Sequence, residues 1–250
     1  MALLEEFESQ GNILFKYRGN IPLFFLLIAL VVFIFEVKNS PLTYEDVFNS
    51  NFVYISFLVS LIGLFIRIYT VGHTPEGTSG RNTDNQVANE LNSTGIYSTL
   101  RHPLYFGNFF MWLGAAMLTY NTWFVVAFVL TYWVYYERIM FAEEQFLRGK
   151  FGKAYTDWAN SRPAFIPSFK NWTKNKYPFS IKKILKKEKN ALAAIFIAFM
   201  IFEYVGSYFS NYPLKFNYTF WTIGTIASIA IYFILRFFKN KTNLLNEDGR

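Results

Sequence analysis

The chain has 250 residues, of which 53% are hydrophobic and 21% aromatic, while only 16% are charged. About a quarter of the residues are charged in a typical soluble protein, so this composition excludes intrinsic disorder and indicates that lipid covers much of the surface. The absence of cysteine excludes disulfide bonds, a thiolate nucleophile and a zinc site with cysteine ligands.

Six apolar runs follow one another along the chain, each close to the roughly 20 residues that cross a bilayer. They are Ile21–Val37, Phe52–Val71, Pro103–Tyr120, Thr122–Phe141, Ala191–Tyr208 and Phe216–Phe238. The pattern predicts an all-α, polytopic membrane protein with about six transmembrane helices. The first run is predicted to be an anchor rather than a signal peptide, because glutamates precede it and no small-residue cleavage site follows it.

The positive charges fall almost entirely on one side of this predicted topology. An even number of spans places both termini on the same side, which then holds 22 of the 24 Lys and Arg residues. Only Lys38 and Lys215 lie on the other side. The positive-inside rule therefore predicts cytoplasmic termini. This orientation also accounts for the net charge of +7, so no nucleic-acid partner is expected.

The chain divides into three predicted segments. Residues 1–50 form an N-terminal tail and the first span, residues 51–170 form a core with the second to fourth spans and the following loop, and residues 171–250 form a basic interfacial segment and the last two spans. Within the third segment, the lysine-rich stretch Ser180–Lys189 indicates either a helix lying on an anionic leaflet or a solvated flank of the next span.

The third and fourth spans are separated only by Tyr120–Thr122, which predicts a tight antiparallel hairpin. A rise of 1.5 Å per residue, counted from Asn121, brings polar residues of both arms to the open, cytoplasmic end. These residues are Arg101, His102, Tyr105, Glu137, Glu143 and Glu144. Together they indicate either a pocket for a zwitterionic ligand or interfacial anchors of the helix ends. Pro103 suits the first helical position, so His102 either binds a ligand or caps the helix.

Further polar residues are candidates for binding the polar head group of a substrate. Asn108 and Trp112 share a helical face with Tyr105 by their spacing. Arg81 belongs to a glycine-rich stretch that forms either an anion-binding nest or an ordinary loop. Arg138 and Arg162 complete this set of candidates.

Two ordered sequence blocks resemble a known superfamily. The first runs from Gly95-Ile96-Tyr97 to Arg101-His102-Pro103-Leu104-Tyr105-Phe106-Gly107, and the second comprises Glu143-Glu144, Phe151-Gly152, Tyr155 and Pro163-Ala164-Phe165-Ile166-Pro167. They resemble the RHPxYxG signature, the acidic pair and the FGxxYxxY and PxFIP tail of the isoprenylcysteine carboxyl methyltransferase and phospholipid methyltransferase superfamily. The resemblance covers roughly residues 50–170 and departs from the pattern at Trp158, where a second tyrosine often stands.

This resemblance implies an integral membrane methyltransferase that uses S-adenosylmethionine, needs no metal, and takes a lipidic acceptor from the bilayer. The residues that it implies for the cofactor site are Tyr97, His102, Tyr105, Gly107, Glu143, Glu144, Tyr155 and Pro163. An amine acceptor would need a base to remove its proton. The candidates for catalysis are Arg101, His102 and Glu137.

The identity of the acceptor is open at this level, with a carboxylate, a phosphate and an amine all compatible with the motifs. Two functions from other classes are also compatible with a polytopic membrane protein. One is a small transporter or channel, which needs polar residues along a path through several spans. The other is a non-catalytic membrane scaffold that retains the fold.

Overall fold

The computed structural model describes residues 2–39, 50–78, 86–210 and 218–249. Within these ranges all regular secondary structure is helical, which confirms the predicted fold class. The helices are α1 (Leu3–Tyr17), α2 (Ile21–Asn39), α3 (Asn51–Gly72), α4 (Pro103–Met117), α5 (Thr122–Phe151), α6 (Lys153–Asn160), α7 (Ile181–Phe209) and α8 (Phe220–Lys241), with short 3-10 helices at Gly95–Ser98 and Phe169–Asn171. Two predicted features, Arg81 and the start of the sixth span at Phe216, lie outside the described residues.

Five of the described helices, namely α2, α3, α5, α7 and α8, are long and apolar enough to cross a membrane by length and composition. The third predicted span forms α4, whose 15 residues are fewer than the roughly 20 that a full crossing needs. This segment nevertheless connects the two ends of the bundle. It begins after His102, and the hydroxyl of Tyr120, just beyond its end, lies 3.0 Å from that of Ser50 at the start of α3. The chain is therefore an integral, multi-pass membrane protein with one shortened helix.

Two helices extend beyond their apolar runs. Helix α5 continues to Phe151 and α7 begins at Ile181, so both carry charged residues at the same end of the bundle. Helix α7 is capped by the Ser180 hydroxyl, which accepts a hydrogen bond of 3.1 Å from the backbone N–H of Lys183. The stretch Ser180–Lys189 is therefore the first part of α7 rather than a separate surface helix, and Glu188 within it is buried.

Helices α3 and α4 pack closely because small residues line their contact. A Cβ atom on Gly107 would lie 2.7 Å from Cγ of Arg67 and 2.8 Å from the carbonyl oxygen of Gly63. The Ser60 hydroxyl donates a hydrogen bond of 3.0 Å to the carbonyl oxygen of Met111. Small residues permit this close approach of membrane helices. Any side chain at Gly107 would push α4 away from α3.

Both ends of the described chain lie at the end of the bundle where α4 begins. Helix α1 runs along the last turns of α5, where the Phe7 and Phe141 rings meet edge to face with centroids 5.8 Å apart. At the other terminus, the backbone N–H of Glu76 donates to the carbonyl oxygen of Gly249 at 3.0 Å. This arrangement agrees with an even number of crossings.

The apolar core divides into two clusters. The larger joins α2, α3, α7 and α8 around Phe33, Phe202 and Trp221. The smaller joins α4 and α5 to Phe165, in the loop that follows α6. The Phe165 ring contacts that of Phe106 with centroids 5.3 Å apart. Burial of Phe165 therefore attaches the loop to the open end of the α4–α5 hairpin.

Candidate functional site

The start of α4 is paired along its backbone with the loop after α6. The N–H of Arg101 donates to the carbonyl oxygen of Pro163 at 2.9 Å, and the N–H of His102 donates to that of Ala164 at 3.1 Å. Because consecutive residues are paired on both sides, the loop is held directly over the helix start. Pro103 occupies the first helical position, as predicted.

Four charged side chains meet beneath this loop. Oε1 of Glu144 accepts hydrogen bonds from Nε of Arg101 at 2.8 Å and from Nε2 of His102 at 2.9 Å. Nδ1 of His102 lies 3.6 Å from Oε2 of Glu143. The structure therefore brings together the arginine, the histidine and the two carboxylates that the hairpin count placed at the open end of the hairpin.

Arg101 also connects α4 to the end of α6. Its Nη1 donates to the carbonyl oxygens of Ala159 at 3.0 Å and Arg162 at 2.8 Å, while its Nε serves Glu144. A guanidinium can make these contacts at once because its donors are fixed in one plane. Arg101 thus joins α4, α5 and the segment after α6.

The two adjacent glutamates differ in what their carboxylates face. One oxygen of Glu144 is shared by two cationic donors, and the side chain is 17% exposed. The Glu143 side chain is 33% exposed and has the longer contact with His102. Glu144 therefore organises the cluster, while Glu143 is the carboxylate that a ligand can reach.

His102 faces the carboxylates instead of capping the helix. It precedes α4, but its side chain makes no capping hydrogen bond. Burial lowers the pKa of the imidazole, but the hydrogen bonds and negative charges of Glu143 and Glu144 outweigh burial and raise the pKa above its usual value. The two carboxylates therefore favour the protonated form of the ring over the neutral one.

We expect the stabilisation contributed by His102 to decline as the pH rises. Because the folded-state pKa is raised, the contribution is complete below the unfolded pKa of about 6.5 and is lost as the pH rises through the folded pKa. The measurement is the melting temperature of the purified protein and of a His102→Gln variant from about pH 6 to about pH 9. The difference between them should shrink with rising pH, and a constant difference would contradict the assignment.

A layer of tyrosines lies next to the charged cluster. The Tyr105 ring stacks on His102 with centroids 5.7 Å apart and contacts the Tyr136 ring at 4.8 Å. The Tyr132 hydroxyl donates to the carbonyl oxygen of Tyr105 at 2.7 Å. The sequence prediction missed Tyr132 and Tyr136, although their spacing of four residues, continued to Met140 and Glu143, places them on the face that carries the acidic pair.

Tyr97 lies close to the acidic pair from the other side. It belongs to the 3-10 helix Gly95–Ser98 and lines a polar cavity of about 90 Å³ together with Thr94 and Asn175. Burial and the nearby charge of Glu143 raise the pKa of the Tyr97 hydroxyl. It therefore remains a hydrogen-bond donor at neutral pH.

Two candidates on α5 lie outside the cluster. The Glu137 side chain is 49% exposed and pairs with Nη1 of Arg138 at 3.1 Å. The Arg138 guanidinium lies 3.5 Å above the Phe7 ring of α1. Glu137 precedes Glu144 by seven residues, so it lies on nearly the same face of α5 but about 10 Å away along the helix axis, or roughly two turns. The structure does not bring Glu137 to His102.

Other candidates occupy different surroundings. Gly107 lies at the contact with α3, where it accommodates Arg67, and Trp112 packs in the smaller apolar cluster. Asn108 contacts Arg67, with 2.7 Å between Oδ1 and Nη1. Close packing is thus the observed contribution of Gly107.

Three buried donor atoms beside the cluster have no hydrogen-bond partner among the described residues. They are the Tyr155 hydroxyl, Nε1 of Trp158 and Nε of Arg162, all within α6 or directly after it. S-adenosylmethionine presents a carboxylate and ribose hydroxyls, which accept from such donors, and an ammonium group, which suits Glu143. The residues present therefore fit this cofactor. No group of three acidic or histidine side chains in the described ranges could hold a metal ion.

Comparison with known proteins shows which family the residues around this site resemble. Residues 51–154 match the family model of phospholipid methyltransferases. This part of the chain is therefore similar to that family. The matched region includes α3, α4 and α5, whereas α1, α2, α7 and α8 lie outside it.

The relatives are protein-S-isoprenylcysteine O-methyltransferases. The chain is 29% identical to that of Schizosaccharomyces pombe over 127 residues, covering 48% of this chain and 53% of the relative. It is 28% identical to protein B of Arabidopsis thaliana over 150 residues (57% and 71%) and 31% identical to the Xenopus laevis protein over 120 residues (45% and 42%). The chain thus spans about half the length of two of these relatives. No solved structure matches it.

Proposed function

We propose that the chain is an S-adenosylmethionine-dependent methyltransferase that modifies the polar head of a membrane lipid or of a lipid-modified molecule. The observation that carries the proposal is the Arg101–Glu144–His102 cluster, with Glu143 accessible beside it and three unpartnered buried donors next to it. The names of the relatives, all O-methyltransferases, support the same reaction class.

In this proposal each polar group of the chain has a stated task. Glu143 binds the ammonium group, while Tyr155, Trp158 and Arg162 donate to the carboxylate and ribose oxygens. When bound, the cofactor supplies an electrophilic methyl carbon on a sulfonium sulfur. Glu144 and Arg101 hold the helix start and the loop so that these groups stay in place. Such positioning can supply about 7–11 kcal/mol of a methyl-transfer barrier in well-oriented cases.

The contacts of His102 bear on the acceptor. An amine must lose a proton before or during methylation, and both ring nitrogens of His102 face the carboxylates of Glu143 and Glu144, so neither is directed at an acceptor. A carboxylate or phosphate needs no base, and its charge is neutralised as it reacts with a sulfonium, which a dry site favours. We therefore propose an oxyanion acceptor rather than an amine.

The test is incubation of detergent-purified protein with isotope-labelled S-adenosylmethionine and three acceptors, followed by mass spectrometry. The acceptors are a prenylated cysteine peptide with a free carboxylate, phosphatidic acid and phosphatidylethanolamine. We expect label in a carboxyl or phosphate ester. An N-methylated product would contradict the oxyanion acceptor. Cofactor binding without transfer would favour the scaffold, and calorimetry that detects no cofactor binding would overturn the proposed function.

We also propose that the site end of the bundle faces the cytoplasm. Support comes from the 22 of 24 basic residues on that side and from the two chain ends that meet there. Since the chain has no native cysteine, single cysteines at Lys38 and Lys174 can be labelled from each side of the membrane. Labelling of both from the same side would contradict the topology.

A further inference from the structure

A buried ion pair links α3 to α7 close to the proposed site. Nε of Arg67 donates to Oε2 of Glu188 at 2.9 Å, and its Nη2 donates to Oε1 at 2.7 Å. The contact is therefore bidentate, the strongest arrangement of these two groups. The side chains are 19% and 4% exposed, so both charges are largely removed from solvent.

The same guanidinium continues toward the cofactor cluster. Nη1 of Arg67 donates to Oδ1 of Asn108 at 2.7 Å, and Nδ2 of Asn108 contacts the Tyr136 hydroxyl at 3.5 Å. Tyr136 packs on Tyr105, which stacks on His102. An unbroken series of contacts thus runs from Glu188 of α7 to the charged cluster, and Asn108 lies one helical turn further into the bundle than Tyr105.

Stability alone does not account for this pair. Burial removes the hydration of both charges, and apolar residues of similar volume often replace a buried ion pair with no loss of stability. Ionisable residues within membrane segments are costly and commonly serve function. Glu188 lies on a helix outside the region that matches the family model.

We propose that Glu188 is a positioning residue of the methyl-transfer site. It holds Arg67 in place, and Arg67 in turn orients the Asn108 amide toward the oxyanion acceptor. The inference rests on the proposed function. Because a guanidinium only donates, the amide oxygen of Asn108 must face Arg67, and the amide N–H groups then face Tyr136 and the acceptor side. A lipid head group that enters from the bilayer reaches this inner level of the site, where the N–H groups can donate to its oxyanion.

The test compares three variants of the full chain with the parent. Glu188→Gln removes the charge at nearly constant shape. The double variant Arg67→Glu with Glu188→Arg keeps the ion pair but places an acceptor, not a donor, opposite Asn108. Glu203→Gln is the matched control, because Glu203 lies on the same helix, is also 4% exposed and contacts Thr219. The readouts are melting temperature, affinity for S-adenosylmethionine, and kcat and KM for a prenylated cysteine peptide.

For Glu188→Gln we expect kcat/KM to fall at least tenfold, with cofactor affinity within about twofold of the parent and the control variant unchanged. The double variant should recover the melting temperature but not kcat/KM. If the role of the ion pair were purely structural, the double variant would recover both the melting temperature and kcat/KM. Recovery of the melting temperature alone therefore indicates positioning. If Glu188→Gln fails to fold, the kcat/KM of the double variant distinguishes the two roles.

Two results would overturn the positioning role while the parent remains active. One is parental kcat/KM in Glu188→Gln, and the other is restored turnover in the double variant. A parent that neither binds S-adenosylmethionine nor transfers methyl groups would instead overturn the proposed function, and this inference with it. The assay of the parent therefore separates the two failures.

Discussion

Replacing Glu144 with alanine is expected to reduce the affinity for S-adenosylmethionine by roughly 100-fold and to lower the melting temperature. The substitution leaves Arg101 and His102 without the carboxylate oxygen that both contact. Removal of one partner from a largely buried charged network destabilises the folded state by about 3 kcal/mol or more. We expect the loss of the groups that Glu144 positions to weaken cofactor binding by a similar free energy, or roughly 100-fold. Isothermal titration calorimetry and thermal unfolding in detergent measure the two effects.

Two further variants sharpen this prediction. Glu143→Gln should weaken cofactor binding with a smaller effect on the melting temperature, since the Glu143 side chain is more exposed and its contact with His102 is longer. Asp157→Asn, an exposed carboxylate on α6, is the control and should leave both quantities unchanged. Parental affinity in Glu144→Ala would show that the charged cluster is not the cofactor site.

Arg101→Lys is expected to abolish most activity although the charge is retained. Arg101 serves Glu144 from Nε and the carbonyl oxygens of Ala159 and Arg162 from Nη1. A lysine ammonium is a compact point charge and cannot reach all three acceptors from one position. We expect the loop after α6 to lose its attachment to α4, with kcat/KM lowered by roughly 100-fold, or about 2.7 kcal/mol.

The control for this variant is Arg236→Lys, at an exposed position near the end of α8 where the arginine contacts only Tyr232 of its own helix among the hydrogen bonds described. Limited proteolysis reports on the loop directly, since a released segment is cleaved more readily. Arg101→Lys with parental turnover and parental proteolysis would mean that charge alone is required at this position.

Much of the fold could be predicted because membrane helices are specified by local composition. Apolar runs of sufficient length located the spans, and Pro103 marked the start of α4. The ends of α5 and α7 could not be located in this way, since their last and first turns are charged and resemble loops. Tertiary contacts of Glu144 and Glu188 stabilise these turns as helix.

The candidate site could be predicted in part for a similar reason. Sequence motifs and a residue count along a hairpin identify which residues gather at its open end, so the convergence of Arg101, His102, Glu143 and Glu144 was predicted correctly. Such a count gives only an approximate level for each residue and does not specify which side chains meet, because this depends on how the helices pack. Glu137 was expected at the site but lies about two helical turns from Glu144 and pairs with Arg138, whereas Tyr136 contacts Tyr105 in the tyrosine layer next to the cluster.

The very apolar, basic composition by itself determined a polytopic helical membrane protein, and the ordered motifs indicated its resemblance to the isoprenylcysteine carboxyl methyltransferase and phospholipid methyltransferase superfamily. These properties follow from local patterns, since the cost of unsatisfied backbone groups in lipid permits few alternatives to a helix. Only the tertiary structure showed that Glu144 organises the cluster while Glu143 is accessible, and that Arg67 meets Glu188 across 121 residues of sequence. Such pairings arise from the rotation and crossing of packed helices, which no sequence period encodes.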